Sequence, residues 1–274
     1  MTRRRGQWVY LPAGLFVAVA IFPFLWLALS SIKPLPELYT VPPVWLPENP
    51  TLANYAKVLF ASNIPRYFLN SLVIAAGSTG LALVFAVFAA YGFARFRFRG
   101  KRLAQAAVLI GQLLPTASLI VPLYIILDDA GLLNSYAGLI LAYLIVTLPL
   151  SVWMLVGYFR AIPVELEEAA IIDGASRLKV LFRITLPLSL PGIVAIVVYA
   201  FVTTWNEFIF ALCFATDSNV KTLPIGLAEF STELNTDWGA VMAASVVMLL
   251  PIVVLFLAMQ RLFIGGLTAG GIKG

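Results

Sequence analysis

Residues 165–187 read ELEEAAIIDGASRLKVLFRITLP, a charged island between two long apolar runs. Pro163 suits the first turn of a helix, and Glu165, Glu167 and Glu168 follow where the helix dipole favours negative charge. A short helix is therefore expected to about Ile172. Asp173 and Gly174 then supply a turn, and a second helix is expected from near Ala175, carrying Arg177, Lys179 and Arg183 among Leu178, Leu181 and Phe182. Pro187 is expected to stop that helix and Pro191 to start the next. The small residues Ala169, Ala170, Gly174 and Ala175 leave little side-chain bulk. Two readings follow: a compact knob whose backbone a partner surface can approach, or an amphipathic hairpin lying on lipid headgroups.

The composition around this island is that of an integral membrane protein. The chain is 61% hydrophobic and 11% charged, with mean hydropathy +0.97, far from the balance of soluble domains. The net charge of +5 does not point to nucleic acid, because in a membrane chain the distribution of basic residues matters more than their total. There is no histidine, which removes the commonest general base and metal ligand. The single cysteine, Cys213, can form no intrachain disulfide and reads as a small core residue.

A bilayer core takes roughly 20 apolar residues in helix. Runs of that kind occur at about 8–32, 68–94, 103–127, 136–158, 189–215 and 239–260, which predicts an all-α fold of six transmembrane helices. The first begins after Arg3, Arg4 and Arg5 and is longer than a signal-peptide core, so it reads as an uncleaved span. All but four of the 18 Lys and Arg fall on one side; Lys33, Lys57, Arg66 and Lys221 are the exceptions. The positive-inside rule then puts both termini, the loop 159–188 and a tail 261–274 in the cytoplasm. The whole chain, 1–274, reads as a single transmembrane domain.

The external stretch 33–67 carries Pro34, Pro36, Pro42, Pro43, Pro47 and Pro50, so it cannot be one regular helix. It is either an ordered cap or a tether, with Tyr39, Trp45 and Tyr55 suited to the membrane interface. Asp217, Glu229, Glu233 and Asp237 make the last external loop acidic, either to meet an external partner or simply as a solvated loop. Pro12, Pro23, Pro115, Pro122 and Pro149 lie inside spans, where bends suit a gated path but also occur in spans of every kind. Asn206 and Glu207 lie in the fifth span with no basic partner there. Glu207 must face a cavity or a neighbouring subunit, or be protonated. Gln112, Thr116 and Ser118 in the third span are further candidates for a translocation path, or serve as helix-packing glue.

The segment EEAAIIDGASRLKVLFRITLP resembles the EAA loop of ABC importer permeases, through Glu168, Ala169, Ala170, Gly174, Ile184, Leu186 and Pro187. PLYIILDDAGLLNSYAGLIL at 122–141, TWNEFIFAL at 204–212, the run from TLPIGL through TDWGAVMAAS to 245, and the tail QRLFIGGLTAGGIKG at 260–274 are similar to the smaller permease subunit of maltose-type sugar importers. Gly271 and Ile272 depart from it, where members more often have alanine and valine. The resemblance implies a type I ABC importer permease fold in a bacterial or archaeal cytoplasmic membrane. It implies a second, homologous permease subunit forming a heterodimer, two copies of an ABC ATPase that bind ATP and Mg, and an extracytoplasmic solute-binding protein; this chain itself would bind no cofactor. The EAA loop would be the coupling helix in a cleft of the ATPase, with Glu168 facing its basic groups, Asp173 and Ala175 flanking the bend at Gly174, and the tail also reaching the ATPase pair. Asp217, Glu229, Glu233 and Asp237 would meet the solute-binding protein, whose cargo would be a sugar.

No G-x-x-x-x-G-K-[ST] occurs, so the chain has no Walker A phosphate cradle and an ATP-driven system would need a separate ATPase. An ion-coupled secondary transporter is the alternative, but paired halves with matching broken helices are not evident in the sequence. An intramembrane hydrolase is disfavoured, since H-E-x-x-H and G-x-S-x-G are both absent. The chain reads as a transport subunit, not an enzyme.

Overall fold

The computed structural model describes residues 7–232 and 236–270, and among these the chain is helical apart from one isolated antiparallel bridge between Ser231 and Thr236. In order the helices are α1 (Gln7–Ser31), α2 (Leu35–Leu38), α3 (Ala53–Phe60), α4 (Ile64–Arg95), α5 (Lys101–Leu113), α6 (Ile120–Asp129), α7 (Tyr136–Ala161), α8 (Val164–Ile172), α9 (Arg177–Val180), α10 (Leu186–Leu188), α11 (Leu190–Trp205), α12 (Ile209–Phe214), α13 (Leu223–Ala228) and α14 (Trp238–Gly270). Four of them, α1, α4, α7 and α14, are long and apolar enough to cross a membrane. The count rises to six if each of two sharply bent pairs is one span.

Breaks inside two of the expected spans correct the sequence reading. The third apolar run, expected as one helix over 103–127, breaks between α5 and a 3-10 turn at Thr116–Leu119 that leads into α6, and the axis turns by 101°. Leu114 and Pro115 are both extended, because proline disfavours the helical conformation in the residue before it and has no N–H to give. Pro122 does no such damage, since it lies in the first turn of α6, where amides have no intrahelical partner anyway. The fifth run, expected over 189–215, is α11 and α12 separated by Asn206, Glu207 and Phe208. Its start meets the preceding helical segment at Ser189 with a 79° bend, at the boundary expected for that span. At the C-terminal end the apolar span runs Trp238–Leu262, close to the expected 239–260, and the helix itself continues to Gly270 through most of the expected tail.

By internal contacts the chain forms two units, residues 1–65 with 226–250, and residues 66–225 with 251–274. In the first, α1 exposes Leu11, Leu15, Phe16, Phe22 and Phe24 along its length, an apolar surface of the kind that lipid or another chain covers. The stretch that follows is ordered by its own contacts and is not a loose tether. Lys33 is buried, donates from Nζ to the Val44 carbonyl at 2.6 Å and lies 4.3 Å from the Trp26 ring centroid. Asn54 Nδ2 donates to the carbonyls of Ser31 and Lys33, each at 2.9 Å, and the Ser31 and Tyr55 hydroxyls are 2.8 Å apart.

In the second unit α7 is the central column. Tyr143, Thr147, Ser151, Leu155 and Phe159 recur every fourth residue and are all buried. Thr147 Oγ1 and Ser151 Oγ donate back to the Tyr143 and Thr147 carbonyls at 2.9 and 2.7 Å, so the helix satisfies its own hydroxyls. One end of this column packs with Ile74, Leu127, Phe210 and Phe214, the other with Val87, Ala90, Tyr91, Leu181 and Ile196. At Gly192 a Cβ would stand 2.4 Å from the Tyr158 ring; glycine there permits the close approach of α11 to α7.

Candidate functional site

The loop between α7 and α11 holds the residues singled out by the sequence. α8 ends at Ile172, as expected, in a Schellman turn: Ala175 N–H donates to the Ala170 carbonyl at 2.9 Å and Gly174 N–H to that of Ile171 at 3.0 Å. Gly174 carries φ +85°, the left-handed conformation that this turn demands and that a Cβ resists. Ser176 Oγ then accepts from Lys179 N–H and caps α9. The second helical segment does not stop at Pro187 as expected. A π-helical turn, Leu181–Thr185, leads into α10, which contains the proline in its first turn, and the break comes at Ser189.

Glu168, Ala169, Asp173, Gly174 and Pro187 are exposed, whereas Ala170, Ala175, Ile184 and Leu186 are half-buried. Around the exposed group Leu166, Leu178 and Phe182 are also open, and Ile172 is 85% exposed. The result is a small-residue surface ringed by apolar side chains on a firmly capped turn.

The residue that anchors this surface was not singled out by sequence reasoning. Glu167 is buried, only 3% exposed. Its Oε1 accepts from Arg95 Nη2 at 2.9 Å and from Thr185 Oγ1 at 2.7 Å, and its Oε2 accepts from the Tyr91 hydroxyl at 3.4 Å. Arg95 Nη2 also donates to the Ile162 carbonyl at 3.1 Å. The Arg177 guanidinium lies 5.2 Å from the Phe96 ring centroid, and Phe182 meets Phe88 edge to face. Nothing in the order Glu165, Glu167, Glu168 marks one glutamate for the interior; only the tertiary position of Arg95, at the end of α4, does so.

Glu207 is held in a way the sequence reading did not foresee. Its two carboxylate oxygens accept from the N–H groups of Phe210 (2.9 Å) and Ala211 (3.1 Å), the unpaired amides at the start of α12. An acidic side chain two residues before a helical run is the signal that could have found this cap. Asn206 is exposed and donates to the Val202 carbonyl at 2.8 Å. Gln112 and Thr116 come together around a small cavity of about 50 Å³ at the α5 bend, beside Ile145 and Val146. Gln112 and Thr203 lie within hydrogen-bonding reach of the Tyr199 hydroxyl, so Tyr199, Thr203 and Asn206 form a polar stripe on one face of α11. Ser118 is exposed.

The acidic candidates divide between the units. Asp217 is exposed in the second; its carboxylate accepts from Asn219 N–H at 2.8 Å and its own N–H donates to Asn134 Oδ1 at 2.9 Å. Glu229 and Asp237, in the first, line a cleft of about 370 Å³ with Lys57, Phe230, Thr232 and Thr236. Asp237 pairs with Lys57, and Tyr39 donates to the Thr236 carbonyl at 2.9 Å. Burial alone would push the Asp237 carboxyl up, but hydrogen bonds from Lys57 and from the Ala240 and Gly239 amides outweigh it and hold it below its usual range. Glu233 lies outside the described residues. Among those residues no group of three or more His, Cys, Asp or Glu side chains could hold a metal ion.

Comparison with known proteins gives this arrangement its context. The chain is 39% identical over 265 residues to a trehalose/maltose transport system permease protein of Thermococcus litoralis, covering 96% of this chain and 95% of that one. It is 36% identical to the sulfoquinovosyl glycerol transport system permease protein of Agrobacterium fabrum, covering 97% and 93%. Against a diacetylchitobiose uptake system permease protein of Streptomyces coelicolor the identity is 35%, covering 95% and 94%. In fold it resembles a chain of a bacterial ABC transporter involved in the import of the acidic polysaccharide alginate, with TM-score 0.82 at 21% identity, over 95% of this chain and 97% of that one. Residues 82–268 match the family described as the binding-protein-dependent transport system inner membrane component. The chain belongs to that family and is a multi-pass inner-membrane component of a transport system, not an enzyme.

Proposed function

We propose that this chain is the membrane-spanning permease subunit of an ATP-driven ABC importer that moves a sugar, or a related glycoside or polyol, into the cytoplasm. The six spans of a single permease domain are α1, α4, the bent α5–α6, α7, α11 with α12, and α14, and its termini face the cytoplasm of a bacterium or archaeon. The proposed assembly has a second, homologous permease subunit, two ABC ATPase subunits that hold ATP and Mg, and an extracytoplasmic solute-binding protein. Sugar as cargo rests on the names of the relatives, which transport trehalose, maltose, sulfoquinovosyl glycerol and diacetylchitobiose.

One observation carries the coupling role: a knob of Glu168, Ala169, Asp173 and Gly174 projects into the open while Glu167, in the same helix, is buried against Arg95 at the end of α4. A push on the exposed face of α8 would reach the membrane helix through a buried ion pair and not through a loose hinge. In this reading Ala170, Ala175, Ile184, Leu186 and Pro187 shape the knob. The polar stripe of Tyr199, Thr203 and Asn206, with Gln112 and Thr116, lines the path, and Asp217, Glu229 and Asp237 serve the binding protein. Uptake in vesicles holding the complete system tests the reading: transport should require both ATP and the ATPase. Uptake driven by an ion gradient alone would favour a secondary transporter.

A further inference from the structure

A cleft of about 290 Å³ opens between α5 and α7, lined by Arg102, Leu109, Val152, Trp153 and Arg160 among others. Gly111 of α5 lies against Pro149 of α7 and Arg102 and Arg160 line the same cleft, so the two helices run antiparallel from that contact and the arginines stand within about one turn of the same height. Both arginines are exposed, and neither has an ion-pair partner among the described residues. No carboxylate lines the cleft. Arg102 also stands in the first turn of α5, which carries no acidic residue, where the helix dipole disfavours a cation and favours an anion. A neighbouring hollow is lined by Arg97, Lys101 and Arg102, extending the positive rim. Below the arginines the walls are apolar apart from Gln105, and Trp153 is 57% exposed.

Two unpaired guanidiniums at the ends of apolar helices, above an open hydrocarbon wall, match the chemistry of a phosphodiester with acyl chains attached. The volume is at the lower edge of small-molecule sites, roughly 300–1,000 Å³, enough for a headgroup whose tails run outside. From this we infer that the α5–α7 cleft binds one anionic glycerophospholipid, its phosphate between Arg102 and Arg160 and its chains along Leu109 and Trp153. The inference needs only that the chain is embedded in a membrane, and does not depend on what it transports.

The test is native mass spectrometry of the full chain released from nanodiscs of mixed phosphatidylglycerol and phosphatidylcholine. One retained phosphatidylglycerol in preference to phosphatidylcholine is expected, with the preference reduced roughly 10- to 30-fold in Arg102→Gln/Arg160→Gln. The charge-preserving Arg102→Lys/Arg160→Lys should retain most of it, which separates loss of the site from loss of the fold. Excess inorganic phosphate should not displace the lipid. Equal retention of the two lipids, an unchanged preference in the Gln variant, or displacement by phosphate alone would overturn the proposal. So would a Gln variant that loses an associated subunit while keeping its lipid, because the cleft would then be a protein contact.

Discussion

The Arg95 guanidinium and the Glu167 carboxylate meet at 2.9 Å with side chains only 8% and 4% exposed, joining the end of a membrane helix to the loop that carries the exposed knob. Thr185 and Tyr91 complete the carboxylate's shell. Removing one partner of a buried pair strands the other charge, at a cost of about 3–5 kcal/mol. Glu167→Ala is therefore expected to lower the thermal stability of the purified protein by that order. Arg95→Met/Glu167→Leu, which removes both charges and keeps the volume, should recover most of the stability. On the proposed coupling role the double variant should still fail to transport. Recovery of both together would mean that the pair serves the fold alone.

Gly174 tests the knob from its open side. A Cβ there meets no atom within 4 Å, but φ is +85°, so Gly174→Ala should cost about 1 kcal/mol through backbone strain alone. Gly174→Trp adds bulk where the proposed ATPase surface would sit. Insertion and subunit pairing should survive in that variant while ATP hydrolysis loses its link to transport, as read by hydrolysis and uptake in one preparation.

Glu207 links the interrupted fifth apolar run to the start of α12 through two backbone amides. Glu207→Ala should cost about 0.5–2 kcal/mol, the worth of a helix cap, and Glu207→Gln less, because the amide oxygen still accepts. Denaturation midpoints of the two variants measure this. Equal losses would show that charge, not capping, is what the site requires.

Much of this was legible in the sequence. The positions of the apolar runs, the end of α8 near Ile172 and the turn at Gly174 follow from hydrophobic length and turn chemistry, both local properties. The break at Leu114–Pro115 was not read, because prolines at 12, 23, 122 and 149 look alike in sequence and sit inside helices; only its neighbours' packing decides which one breaks its span. The interior role of Glu167 was hidden for a related reason, since its partner Arg95 belongs to another helix. The capping role of Glu207 is not legible among a cavity, a neighbouring subunit and protonation, because the interruption of its span, which creates the amides it binds, is not evident in the sequence.

The Lys57–Asp237 pair gives a pH dependence with a defined sign. Because the folded protein holds the Asp237 carboxyl below its usual value, its stabilisation is present above the unfolded pKa, about 3.9, and is lost as pH falls through the folded one. Lys57 is 56% exposed, so the contribution is about 0.2–1 kcal/mol. The difference in melting temperature between the native chain and Asp237→Asn should shrink as pH drops below about 4. A difference that stays constant across that range would contradict a contribution from the ionised carboxylate, because the amide oxygen of the variant still accepts the α14 cap bond.

The central claim, that work done elsewhere on ATP enters this chain through the knob on α8, is tested most directly by radiolabelled sugar uptake into vesicles holding this subunit, its partner permease, the ATPase and the binding protein. The account predicts uptake that requires ATP and the ATPase, and that is abolished by Gly174→Trp while hydrolysis continues. Uptake that persists without ATP, or that proceeds normally in the Gly174→Trp vesicles, would contradict it.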